Sequence, residues 1–278
     1  MSRGRVTSAL GATFRVGLGD ESEVEVRPLG ALRHARQEIL VGDWVEVDGG
    51  RLISVLPRRN RLLRPRVANV DVVILLTTKK DPPLSDLDVA RRLVAITLTG
   101  ATPLLVLAKA DLLSAGQRRE FRATYRQAAA VVELSSREGT GLEAIGAAIS
   151  GHVAVLAGAS GVGKSTLFSR LTGQPARTGG LSAAGRGRHT TRWANLVPVA
   201  GGYLVDTPGF EALTLEINAP SQLAASFPDW QSLPGCRFGD CSHRTEPDCQ
   251  VREAVESGRV SRVRYESYLA LYREVAEA

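Results

Sequence analysis

Gly158-Ala159-Ser160-Gly161-Val162-Gly163-Lys164-Ser165 sets glycines, a lysine and a hydroxyl at the G-x4-G-K-[ST] spacing, and Thr166 follows. Glycines let the backbone wrap an anion with its N–H groups pointing inward, and a helix opening at the lysine adds positive potential. Such a loop grips nucleotide phosphates: Lys164 bridges the β- and γ-phosphates and Ser165 ligates Mg²⁺. Lysine is scarce elsewhere, since Lys79, Lys80, Lys109 and Lys164 are the only lysines among 35 basic residues. Its use at 164 fits a site that needs a compact point charge rather than the planar fork of arginine.

Downstream, Leu204-Val205-Asp206-Thr207-Pro208-Gly209 reads as a strand ending in a carboxylate. Asp206 then lies beside the Mg²⁺ position, and the Gly209 N–H is free to meet a γ-phosphate. Between the two motifs, Gly185-Arg186-Gly187-Arg188-His189-Thr190-Thr191-Arg192 forms a glycine-bearing basic loop. A loop at this place closes over the metal with a threonine hydroxyl, from Thr190 or Thr191. His189 is the in-chain candidate for positioning an attacking water, its alternative being a contact to RNA or solvent. Phe210 cannot orient water, so slow intrinsic hydrolysis is expected.

A base-recognition element is expected after these motifs and is instead found before them. Leu107-Ala108-Lys109-Ala110-Asp111-Leu112 follows a buried strand and resembles the N-K-x-D guanine motif, whose aspartate accepts from the ring N–H and the exocyclic amino group. The pair Ser135-Ser136, after Glu133-Leu134, resembles the S-A-K element beside the base. Lys109 can pack its stem over a base plane. Ala108 departs from the motif's asparagine, and losing such a side-chain hydrogen bond costs about 1 kcal/mol. Guanine selection by Asp111 survives, with weakened affinity.

Cys236-x4-Cys241-x-His243-x5-Cys249 supplies three thiolates and an imidazole. That set suits tetrahedral Zn²⁺, and with no open position the metal is structural. Three cysteines cannot make an even disulfide framework.

The elements that must hold these residues read clearly in the hydrophobic pattern. Residues 1–60 alternate short β-like runs with glycine turns, as in a five-strand barrel of the OB type. Trp44 reads as barrel core. Residues 56–67 are arginine-rich (Arg58, Arg59, Arg61, Arg64, Arg66) and read as an exposed basic link. Continuous apolar runs at 70–76, 103–108, 130–134, 152–157 and 203–205 alternate with helical stretches at 87–98, 116–128 and 142–149, which is the pattern of a doubly wound α/β domain. In the tail, Val260, Val263, Tyr268, Leu271, Tyr272 and Val275 are spaced as packing residues of a helix.

The chain of 278 residues has room for several domains, and 44% hydrophobic content is enough for real cores. No apolar run reaches 18 residues and no signal peptide opens the chain, so a cytoplasmic protein with no membrane partner is expected. A charge of +6 and a sequence pI of 9.6 point to a polyanionic partner.

The chain order is base motif, second base element, phosphate loop, threonine loop, then the Asp206 turn. With the cysteine–histidine cluster and the N-terminal barrel, this order resembles the circularly permuted GTPases, specifically the ribosome-small-subunit-dependent GTPase family. The resemblance rests on residues 108–111, 158–165, 187–191 and 206–209 and on the cluster, and it spans essentially the whole chain. It implies an OB-like β-barrel over 1–60, a circularly permuted P-loop α/β GTPase domain over 61–215, and a mostly helical zinc-binding domain over 216–278. It further implies Mg²⁺ with GTP or GDP, one structural Zn²⁺, the 30S subunit and its 16S rRNA as partners, stimulation by the subunit, and a monomer. Two competing readings stay open: a nucleotide-gated RNA-binding protein with little turnover, favoured by Ala108 and Phe210, and an ATPase with the same phosphate machinery. Because the chain passes directly from the Asp206 turn to the C-terminal segment, motion there could be handed to that segment.

Overall fold

The computed structural model describes residues 1–19, 22–30, 32, 37–175, 194–206, 217 and 219–277. The chain forms two compact units, each assembled from separate stretches: Met1–Val72, Glu143–Leu156 and Lys164–Phe210 in the first, Val73–Leu142, Ala157–Gly163 and Glu211–Ala278 in the second.

The first unit opens with strands β1 (Ser2–Leu10), β2 (Thr13–Leu18), β3 (Glu23–Pro28), β4 (Trp44–Asp48) and β5 (Arg51–Val55). They pair in the order β1-β2-β3-β5-β4, and β1 also pairs with β4 through Ser2↔Val47 to Arg5↔Trp44. That closing ladder turns the sheet into a barrel and removes its edges. Alternate residues fill the interior: Val6, Val16, Val26, Val45 and Leu52 are buried. Val45 and Val47 point inward on β4, so Trp44 stands on the outer face, only half-buried, with the guanidinium of Arg3 at 4.7 Å and of Arg5 at 4.4 Å from its ring. Trp44 is therefore not barrel core, as the sequence reading had it; strand alternation fixes its side.

The arginine-rich stretch, which holds the short strands β6 (Arg61–Leu62) and β7 (Val67–Ala68), is not a free basic link. Arg58 sits on the fully buried Asp43, with Nε to Oδ1 at 2.7 Å and Nη2 to Oδ2 at 2.8 Å. Arg59 pairs with Asp71, and Arg61 and Arg66 pair with Glu38. Of the five, Arg64 alone has no ion pair among the described residues.

Strand β8 (Val72–Thr77) is buried along its length, as a strand covered on both faces must be. In the second unit it is followed by α1 (Asp86–Leu98), β9 (Thr102–Ala108), α2 (Ala115–Tyr125) and β10 (Ala130–Leu134), with strand order β10-β9-β8. Ser85 starts α1 by accepting from the Asp88 N–H at 3.1 Å. In the first unit lie α3 (Leu142–Ile149), β11 (Val153–Ala157), α4 (Lys164–Thr172) and the antiparallel hairpin of β12 (Asn195–Val199) and β13 (Gly202–Asp206). Ala200 and Gly201, both at positive φ, make the two-residue turn that such a hairpin requires. Strand β12 was not foreseen, since Pro198 breaks the strand pattern.

The C-terminal helices α5 (Pro220–Ser226), α6 (Gln250–Glu256) and α7 (Arg262–Glu277) complete the second unit. Their core is shared with α1: Ala90 and Val94 pack with Leu223, Phe227, Trp230, Val251, Tyr268 and Leu271. Val260, Tyr268 and Leu271 are buried as expected, but Val263 faces solvent because it falls on the opposite face of α7. Among the described residues no helix is long and apolar enough to cross a membrane.

Candidate nucleotide site and metal centre

In the second unit, β9 and β10 run parallel with Leu134 opposite Ala108. Residues 109–111 and 135–136 therefore leave the sheet side by side at its carboxyl edge, the place where open α/β sheets bind ligands. Lys109 takes the left-handed conformation (φ 56°), which costs a non-glycine residue about 1 kcal/mol or more. The reversal throws Ala110–Leu112 into a 3₁₀ turn carrying Asp111, with Ala110 buried and its carbonyl held by Arg118 at 3.2 Å. Ser135 is buried, and its hydroxyl accepts from the Glu138 N–H at 3.2 Å, closing the loop after β10. Gly141 ends that loop at a point where a β-carbon would lie 2.2 Å from the Glu133 carbonyl, so only glycine fits. Ala108 is buried and apolar, so β9 ends without a polar side chain toward the site.

The phosphate loop follows β11. Gly158 (φ 141°), Gly161 (φ 75°) and Gly163 (φ 113°) hold conformations that L side chains rarely adopt. A β-carbon on Gly158 would lie 2.4 Å from the Leu76 carbonyl, so the loop entrance is pressed onto the end of β8. Val162 is fully buried beneath the loop. Lys164 and Ser165 open α4, and Thr166 follows in its first turn. Within the first unit, β11 and β13 are parallel with Val153↔Tyr203 and Ala154↔Leu204 in register. Carried along, that register sets the buried Asp206 level with Leu156, next to the end of β11. His189, Thr190 and Thr191 of the threonine loop, and Thr207, Pro208, Gly209 and Phe210 after Asp206, lie outside the described residues.

Cys236, Cys241, His243 and Cys249 converge, with one ligand atom from each and all four atoms within 4.8 Å of one another. Cys236 Sγ lies 4.0 Å from Cys249 Sγ and 3.5 Å from His243 Nδ1, while Cys249 Sγ is 3.6 Å from that nitrogen. A zinc tetrahedron requires about 3.8 Å between thiolates and about 3.5 Å between thiolate and imidazole nitrogen. The donors fit zinc. Without a cation, burial pushes the Cys241 thiol up to about 12, so a bound metal would have to displace its proton, and burial lowers His243 toward the neutral form.

Residues outside the motif shape this centre. The Glu246 carboxylate accepts from the backbone N–H groups of Ser242 (2.7 Å), Arg244 (3.0 Å) and Thr245 (3.0 Å), cradling the His243 turn from below. Burial alone would raise its pKa, but these hydrogen bonds hold it well below the usual carboxylate range. The Tyr268 and Tyr265 hydroxyls donate to the carbonyls of Ser242 (2.6 Å) and His243 (2.7 Å). Trp230 meets the His243 ring edge-on at 5.4 Å. Its neighbour Asp229 forms a bidentate, fully buried pair with Arg264, at 2.9 and 2.6 Å. None of these supports was legible beforehand, although an acidic residue within a cysteine–histidine loop is the kind of signal that finds Glu246.

A base loop that precedes the phosphate loop, followed by a strand ending in Asp206, defines a circularly permuted P-loop GTPase. Comparison with known proteins narrows the class. The sequence model of the RsgA GTPase family matches residues 55–216. The chain is 37% identical to the small ribosomal subunit biogenesis GTPase RsgA of Halalkalibacterium halodurans, over 99% of this chain and 97% of that protein. The RsgA protein of Geobacillus thermodenitrificans is 36% identical, with 100% and 98% covered. Among solved structures, YjeQ from Thermotoga maritima superposes with a TM-score of 0.84 at 33% identity, covering 100% of this chain and 99% of that one. YloQ, described as a circularly permuted GTPase, gives 0.84 at 27% identity, with 100% and 96% covered. The chain belongs to the RsgA GTPase family.

Proposed function

We propose that this protein hydrolyses GTP to GDP and phosphate during late maturation of the small ribosomal subunit, and that contact with the 30S subunit stimulates turnover. The observation that carries this reading is the permuted order of the site, base loop before phosphate loop, in a chain whose relatives over its full length are named small ribosomal subunit biogenesis GTPases.

In this reading Asp111 selects guanine by accepting from both donors on its edge, while Lys109, Ala110, Ser135 and Ser136 line the base. Residues 158–166 cradle the phosphates, with Lys164 countering the charge that develops on the β- and γ-oxygens. Ser165 and Asp206, with Thr190 or Thr191, hold Mg²⁺, which when bound draws charge from those oxygens. Gly209 meets the γ-phosphate and His189 orients the water. The cysteine–histidine cluster holds one Zn²⁺ as a structural element, its shape reinforced by Glu246 and the two tyrosines. Residues 1–60, 61–215 and 216–278 act as barrel, GTPase and zinc modules of a cytoplasmic monomer. The barrel's outer face, with Arg3 and Arg5 stacked on Trp44, together with the zinc segment, contacts 16S rRNA.

Ala108 favours a second reading, in which the nucleotide only gates RNA binding with little turnover. GTP hydrolysis measured with and without 30S subunits separates the two, with ATP and Lys164→Ala as controls. Stimulation specific to GTP supports the enzyme, and GTP binding without turnover supports the gate.

A further inference from the structure

A nucleotide anchored by its base at one end and its phosphates at the other demands a fixed spacing between the two loops that grip it. Ala108, buried and apolar at the end of β9, provides no side-chain bond across that gap. Another segment of the second unit is bonded to the base loop and lies beside the phosphate loop. After β8 the chain runs through residues 78–83 before α1 begins. The Lys109 ammonium donates to the Asp81 carbonyl at 2.6 Å, tying the base loop to this segment. One residue on, Pro82 faces the phosphate loop across a gap that a single carbon would fill: a β-carbon on Gly161 would sit 3.7 Å from Pro82 Cδ.

The start of the segment is itself held. Thr78 is buried and its hydroxyl accepts from the Lys80 N–H at 3.1 Å. Lys79 reaches Asp86 at 3.4 Å, and Asp86 also accepts from the Tyr125 hydroxyl. We propose that residues 78–83 form a strap that holds the base loop and the phosphate loop at the spacing of a guanine nucleotide, with Lys109 and Pro82 as its positioning residues. The strap takes over the bridging that Ala108 cannot perform. Preorganising both loops removes ordering cost from binding, so its loss appears mainly as faster nucleotide release. This rests on the guanine-nucleotide reading above.

The test is stopped-flow release of a fluorescent GDP analogue from the full chain, for wild type, Pro82→Gly, Lys109→Met and the double variant, with melting temperatures alongside. Lys109→Met, which deletes the bond to the Asp81 carbonyl, should speed release about fivefold, the worth of one ordinary hydrogen bond, and Pro82→Gly should act in the same direction, both at unchanged melting temperature and stoichiometry. With Lys109 already replaced by methionine, Pro82→Gly should add less than about twofold, because both residues serve one link. Pro82→Ala, should the glycine variant fold poorly, is expected to act in the same direction. Release unchanged in a folded Pro82 variant overturns the strap, as does a full additive effect in the double variant. A wild-type chain that fails to bind the analogue overturns instead the guanine reading beneath it.

Discussion

Replacing Asp229 by alanine removes the ion-pair partner that Arg264 has among the described residues, and this arginine has no access to water. Arg264 and Asp229 are fully buried, joined by two hydrogen bonds, and the guanidinium lies 4.8 Å from the Phe227 ring and 5.4 Å from that of Tyr125. Desolvating both ions is costly, and the pair recovers that cost only while intact. Breaking it from one side leaves a stranded charge, worth about 3–5 kcal/mol. At about 2–4 °C per kcal/mol for a domain of this size, melting should fall by roughly 6 °C or more. The effect reaches the metal centre, because Trp230 follows Asp229 and packs on His243. The assay is thermal unfolding of the zinc-loaded protein, with zinc release followed by a chromogenic chelator. Asp229→Leu combined with Arg264→Met removes both charges and should recover most of the loss. An Asp229→Ala protein that melts within about 1 °C of wild type, or a double variant as unstable as the single, would refute the reasoning.

Other expectations follow from the same geometry. Asp111→Asn turns an acceptor into an amide that complements a 2-oxo purine, so GTP affinity should fall at least about tenfold while xanthosine triphosphate gains, read by competition binding. On the proposed zinc site, Cys249→Ala, or strong chelation of the wild type, should release zinc and lower the melting temperature, since a bound metal would cross-link a segment whose core is partly borrowed from α1. Glu246 has a depressed folded-state pKa, so its contribution is fully present above its ordinary value of 4.5 and is lost progressively as pH falls from there through the depressed folded-state value. Glu246→Gln should therefore lower the melting temperature at pH 7 and flatten the acid side of the stability profile; equal losses at pH 7 and about pH 2 would contradict this.

Much of this site was legible because its residues are bound to short spacings. The phosphate loop, Asp111 after a buried strand, and the cysteine–histidine cluster each depend on neighbours within a few positions, so sequence alone groups them. What stayed hidden depends on contacts across the chain. The pairing of Asp43 with Arg58 and of Asp229 with Arg264 joins residues distant in sequence, and neither a lone acid nor a lone arginine announces a buried partner. Trp44 was misjudged because a large aromatic suggests core, whereas strand phase decides which side it takes. Strand β12 was missed where Pro198 interrupts the alternation that tertiary pairing then overrides.

The most direct measurement is GTP turnover by the intact protein with and without purified 30S subunits, beside Lys164→Ala and an ATP control. The account predicts slow hydrolysis alone, strong stimulation by the subunit, specificity for GTP, and loss of turnover in the variant. Turnover that ignores the subunit, accepts ATP equally, or survives Lys164→Ala would contradict it.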